Sequence, residues 1–150
     1  MSSFTRPLTV TKLKTGQWEV GRSFHYYLDQ EGGEEILVPD GFTTDFASVP
    51  RLFWIILPPD GRYTQAAVLH DYLYSVAGEI PGHIHDDGKI IHNIVYKRKD
   101  CDKIFIKAMR VLGVGWCKRV AMHRAVRAFG FIPWNRVHNS LQEQEGDKDT

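Results

Sequence analysis

A chain of 150 residues with 43% hydrophobic and 25% charged content has the size and balance of one domain with an ordinary core. Its formal net charge of +1 excludes a binder that grips nucleic acid by bulk charge, and no stretch approaches the roughly 18 apolar residues of a membrane span. Two cysteines, Cys101 and Cys117, lie outside any CxxC pair, so they offer neither a disulfide scaffold nor a thiol metal site and read as buried thiols.

Met1 to Pro7 lacks the apolar run of a signal peptide, so synthesis and folding in the cytosol are expected. The first forty-five residues read as β structure. Trp18 and Val20, then Phe24, Tyr26 and Leu28, recur at period two between polar residues. Glu31 to Glu34 supplies a turn, Ile36-Leu37-Val38 returns as the partner strand, and Pro39-Asp40-Gly41 closes an antiparallel meander with one apolar face to cover.

In the segment Gly41 to Arg51, Ser48 is placed to cap a short helix running to Ile56, with Pro50 in its first turn and Pro58-Pro59 as its stop. After Asp60-Gly61, Thr64 is the expected N-cap of a helix that runs out near Gly78. Glu79 to Asn93, with Pro81, two glycines and three histidines, reads as a long loop.

A second helix is expected over Lys99 to Leu112, with Asp102, Phe105, Ile106 and Met109 forming a stripe at i, i+3, i+4, i+7. Gly113 and Gly115 separate it from a third, Trp116 to Phe129. There Met122, Ala125, Val126 and Phe129 face inward, while Lys118, Arg119, Arg124 and Arg127 face mostly outward. After Pro133-Trp134 the chain turns polar, and residues 142–150 contain nothing apolar, which predicts a disordered tail behind a single globular domain over 1–141. The fold class is α+β: a small N-terminal antiparallel meander followed by a bundle of about three helices.

His70 sits on an otherwise apolar helix face beside Ala66, Ala67 and Leu73, with Tyr74 one turn on and Asp71 a quarter-turn away. Asp102 begins the apolar stripe of the next helix. If the two helices pack side by side, the acid meets the imidazole, fixes its tautomer and supports the imidazolium formed in general-base catalysis. The candidate catalytic set is therefore His70 as base, Asp102 as orienter and Tyr74 as support. A buried His–Asp bond is also a common structural device, so an open cleft above His70 favours catalysis, whereas rings such as Phe46, Trp54 or Tyr63 sealing it favour structure.

Secondary candidates carry their own alternatives. Asp45 and Asp71 are the tentative metal ligands, Asp45 otherwise being a turn acid. Ser48 is either a nucleophile completing Ser-His-Asp or a helix cap. Arg51 either holds a phosphate or carboxylate or is a surface charge. His83 and His85, with Asp86 and Asp87, have the ligand types of a zinc loop but lack a helix-borne HExxH, and a solvated loop presents the same residues. The basic third helix gives no strong nucleic-acid signal, since any surface helix shows such a face.

The pair His70-Asp71-Tyr72-Leu73-Tyr74 and Asp102-Lys103-Ile104-Phe105 resembles the catalytic helix pair of phospholipase A2 enzymes. That resemblance implies a His that activates water for ester cleavage, a distant Asp and a Tyr that hold it, and a calcium ion at the adjacent Asp, here Asp71. The glycine-rich calcium loop and helix-linking disulfides of those enzymes have no counterpart in this chain. Val38 to Arg51 and Tyr63 to Asp71 together resemble an uncharacterised family of tailed bacteriophages and prophages. This implies a phage product, made in the host cytoplasm and acting in the virion or at the host envelope, with other virion proteins or an envelope substrate as partner. Two functions follow as expectations: a hydrolase attacking an envelope ester or amide, a lipid ester foremost, or a non-catalytic tail or baseplate component in which the His–Asp bond is structural.

Overall fold

The computed structural model describes residues 2–29, 34–46, 62–84 and 87–148. N-terminal antiparallel strands precede the long helices, an α+β architecture. β1 (Ser3–Phe4), β4 (Phe24–Tyr27) and β5 (Glu35–Val38) form one three-stranded sheet, and β2 (Val10–Lys12), β3 (Trp18–Val20) and β6 (Thr43–Thr44) form another, in the order β2-β3-β6. The β region is thus two small sheets rather than one meander. The period-two residues behave as expected: Val20, Phe24, Tyr26, Ile36 and Val38 are all fully buried and form the sheet side of the core.

α1 (Thr64–Ser75) is the helix on which the core is built. Ten of its residues are buried, including Ala66, Val68, Leu69 and Leu73, while Asp71 is half-buried and Ser75 exposed. A helix covered nearly all round needs no polar stripe, which is why its apolar residues fail to segregate onto one face. Its N-cap is Tyr63, with Thr64 the first helical residue rather than the cap. Its exit is set by Gly78, whose amide donates to Leu73 O at 2.8 Å with φ +77°; a Cβ there would stand 2.0 Å from Tyr96 O. Glycine is therefore required both by the backbone turn and by the close approach of the Tyr96 backbone.

Three short strands form within the segment Glu79 to Asn93 expected to be loop. β7 (Glu79–Ile80) pairs with β10 (Ile94–Val95), and β8 (His83–Ile84) pairs with β9 (Ile90–Ile91), each ladder only two residues long. Such short ladders leave no run of alternation to detect in sequence.

α2 (Arg98–Val111) and α3 (Trp116–Phe129) follow as expected, and α2 packs between α1 and α3. Asp102, Phe105 and Met109 are fully buried, as are Met122 and Val126, with Ala125 also buried. Phe129 is 56% exposed, contrary to its expected inward position, because the chain turns at Gly130 and its last turn projects past the core. Cys101 is buried but Cys117 is exposed, on the first turn of α3. A fourth helix, α4 (Phe131–Lys148), packs against α1 and α3 and takes in most of the segment expected to be a disordered tail. Pro133 falls in its first turn, where an amide hydrogen has no intrahelical partner to lose.

Candidate functional site

The face of α1 that carries His70 and Tyr74 meets the Asp102 stripe of α2. His70 Nε2 lies 2.8 Å from Asp102 Oδ1, and the Tyr74 hydroxyl donates to the same oxygen at 2.6 Å. The other carboxylate oxygen accepts from Arg127 Nη1 of α3 at 2.7 Å, with Arg98 Nη1 at 3.6 Å. The three predicted partners are therefore together, joined by Arg127, whose expected direction on α3 is outward. Its position in the last turn of α3 lets the long side chain reach the buried acid of α2 while remaining partly exposed.

Burial alone raises the Asp102 carboxyl, but the hydrogen bonds from His70, Tyr74 and Arg127 outweigh it and hold the group at about 2. The acid is thus a charged acceptor at neutral pH, so His70 carries its hydrogen on Nε2 and donates it. Burial, then the bond to Asp102, pushes the Tyr74 hydroxyl well above its ordinary value, keeping it a donor. Three donors from α1 and α3 converge on one carboxylate of α2.

Solvent does not reach this pair: His70 and Asp102 side chains are both 0% exposed. The His70 ring lies between Tyr74, with centroids 4.2 Å apart, and Phe105, at 4.7 Å, while Trp134 of α4 packs edge-on against the other side of Tyr74 at 5.2 Å. The rings that seal the imidazole are thus Tyr74 and Phe105. Gly130 makes room for the arrangement, since a Cβ there would lie 2.6 Å from the Tyr74 hydroxyl oxygen.

Asp71 lies on the remaining face of α1 and accepts from Thr44 Oγ1, which in turn accepts from the Phe46 amide at 3.0 Å. This chain of bonds fastens α1 to β6. Asp45, Asp71, Thr44, Ser75 and Arg136 line a cleft of about 280 Å³ whose wall includes Tyr74. The two acids predicted as metal ligands thus share a cleft. Among the described residues, however, no third imidazole, thiolate or carboxylate joins them to make a metal-sized group. His83 bonds to Glu35 of β5 at 2.6 Å, a partner from a distant strand. Ser48, Arg51 and His85, with the short helix expected after Ser48, lie outside the described residues.

Fold and site together define an α+β protein whose helices are clamped through one buried, charged carboxylate. The chain belongs to the family described as "Protein of unknown function (DUF1353)", whose profile matches residues 18–126. A curated relative, the uncharacterized protein y4jT of Sinorhizobium fredii (strain NBRC 101917 / NGR234), is 30% identical over 125 residues. That match takes in 80% of this chain and 32% of the relative, so the chain spans about a third of the relative's length. No solved structure matches. No helix among the described residues is long and apolar enough to cross a membrane.

Proposed function

We propose that the protein is a non-catalytic component of a phage-type particle, of the tail or baseplate, in which His70, Asp102, Tyr74 and Arg127 form a structural clamp between helices. One observation carries this reading: the imidazole and its acid are completely buried and covered by aromatic rings. A general base has to come within hydrogen-bond reach of water or substrate, and a ring sealed in this way has no such approach. The phage setting rests on the resemblance of Val38 to Arg51 and Tyr63 to Asp71 to the tailed-phage proteins. Large apolar side chains left in water, Ile84, Ile90 and Val95 on the short strands and Phe129, Phe131 and Ile132 at the α3–α4 corner, suit a protein that works by docking.

Mass spectrometry of purified particles from a host expressing the gene tests this. A fixed copy number per particle is expected, and absence from clean particles refutes it.

A hydrolase reading rests on a different observation, that Tyr74 belongs both to the clamp and to the wall of the cleft holding Asp45 and Asp71. On that reading an envelope ester or amide occupies the cleft, and the His70–Asp102 pair acts through a displaced Tyr74 ring. Cleavage of lipid or peptidoglycan by the wild type, lost in both His70→Ala and Asp102→Asn, is its expected result.

A further inference from the structure

A second polar cluster lies on the face of the β1–β4–β5 sheet opposite the fully buried residues. β4 and β5 pair with Phe24 opposite Val38, His25 opposite Leu37, Tyr26 opposite Ile36, and Tyr27 opposite Glu35. Phe24, Tyr26, Ile36 and Val38 are fully buried in the core, so by the alternation of strands His25, Tyr27, Leu37 and Glu35 share the other face. His25 and Glu35 are then diagonal cross-strand neighbours. β8 lays His83 over them: His83 Nε2 is 2.6 Å from Glu35 Oε1, His25 Nδ1 is 3.5 Å from Glu35 Oε2, and the two imidazole centroids are 5.9 Å apart. One donor atom from each residue lies within 4.8 Å of the other two.

We propose that His25, Glu35 and His83 bind one divalent transition-metal ion of the zinc class, and that this ion pins the β8–β9 hairpin to the sheet. Two imidazoles and a carboxylate are the ligand types that such borderline ions prefer, whereas calcium and magnesium take all-oxygen shells. In a tetrahedral site with bonds of about 2.0–2.1 Å, neighbouring donors stand about 3.3–3.5 Å apart. His25 Nδ1 stands 3.5 Å from Glu35 Oε2 and His83 Nε2 stands 2.6 Å from Oε1, so the two imidazoles face different oxygens of one carboxylate. A small turn of that carboxylate brings one oxygen to both as the His83–Glu35 hydrogen bond opens by about 1 Å and the ion replaces its proton.

Burial of the acid and partial exposure of both imidazoles set this cluster apart from the sealed His70–Asp102 pair. Glu35 is 0% exposed, and a carboxylate taken out of water needs charge or donors around it, which a dication supplies most strongly. His25 and His83 side chains are 15% and 16% exposed, which gives the ion a path in and leaves a fourth position to solvent. Among the described residues the hairpin's own ladder is two residues per strand, Ile84 and Ile90 are 74% and 66% exposed, and its base is tied by buried Ile91 and by the Gly82 amide donating to Asn93 Oδ1 at 2.6 Å. A bond from His83 through the ion to β4 and β5 adds an anchor at the end of the hairpin where the apolar side chains face water.

The test uses the full chain, stripped with chelator and titrated with Zn²⁺ by calorimetry, with thermal unfolding followed in Zn²⁺, Mg²⁺ and Ca²⁺. The expected result is one Zn²⁺ per chain, a raised unfolding midpoint with Zn²⁺ alone, and slower hydrogen exchange at His83, Ile84, Ile90 and Ile91. His25→Asn and His83→Asn are each expected to weaken Zn²⁺ binding by about tenfold or more. Should either variant fail to fold, Co²⁺ absorption and hydrogen exchange on the wild type decide the matter, tetrahedral imidazole ligation being the expected spectrum. Absence of binding overturns the site, as does binding undiminished in the double variant. Binding that leaves the midpoint and the hairpin's exchange unchanged overturns the pinning role.

Discussion

Replacing Asp102 by asparagine keeps the shape of the side chain but removes its charge and turns one acceptor into a donor. In the native protein Oδ1 accepts from His70 and Tyr74, and Oδ2 accepts from Arg127. An amide with its oxygen toward His70 and Tyr74 aims its NH2 at the guanidinium; flipped, it aims the NH2 at the two α1 donors. In the better orientation two charge-assisted bonds become neutral ones, each weaker by about 1 kcal/mol. The Arg127 pair adds about 0.5–1 kcal/mol, discounted because that side chain is 36% exposed and partly screened. The sum is about 3 kcal/mol, which on a chain of this size lowers the unfolding midpoint by about 6–12 °C. Urea unfolding followed by circular dichroism at neutral pH measures it, with the denaturant slope unchanged. A loss below about 1 kcal/mol would refute the view that the helices are clamped through this carboxylate.

The same carboxylate sets an acid limit. Because its folded pKa is depressed, to about 2 against an ordinary 3.8, its stabilisation is present above the ordinary value and lost as pH falls through the folded one. Wild type should lose about 2 kcal/mol more than Asp102→Asn between about pH 4 and pH 2, and parallel acid titrations of the two contradict this. Gly130→Ala places a methyl 2.3 Å from Val126 O and 2.6 Å from the Tyr74 hydroxyl oxygen, so a loss of about 2 kcal/mol or more is expected in urea unfolding; a neutral result shows that the α3–α4 corner gives way freely. Thiol alkylation read by intact mass should label Cys117 quickly and leave Cys101 until denaturant is added, since burial and then the neighbouring acids push the Cys101 thiol up to about 12. Rapid double labelling of native protein counts against the packing of α2.

The trio His70, Tyr74 and Asp102 was legible because helical spacing alone puts His70 and Tyr74 on one face and Asp102 on another apolar stripe; adjacent helices did the rest. Arg127 was not, because an arginine on a basic helix looks the same in sequence whether it reaches solvent or a buried acid. The burial of His70 was equally invisible, since the ring that covers it on one side, Phe105, comes from another helix. His25 and Glu35 escaped notice for a different reason. Their meeting depends on the register between β4 and β5, which a one-residue slip would abolish, and on a hairpin near residue 83 too short to show alternation. The length of α4 was hidden by Pro133 and by a polar run that reads as a tail, because helix formation there draws on packing against α1 and α3 as well as on local propensity.

Carbethoxylation of histidines in the native protein, located by peptide mass mapping, tests most directly whether His70 is a sealed clamp. The exposed His92 and His138 should react quickly, while His70, 0% exposed, reacts only at the rate of global unfolding. Modification of His70 at the pace of His92 in folded protein would contradict the clamp and return the imidazole to the role of a reachable base.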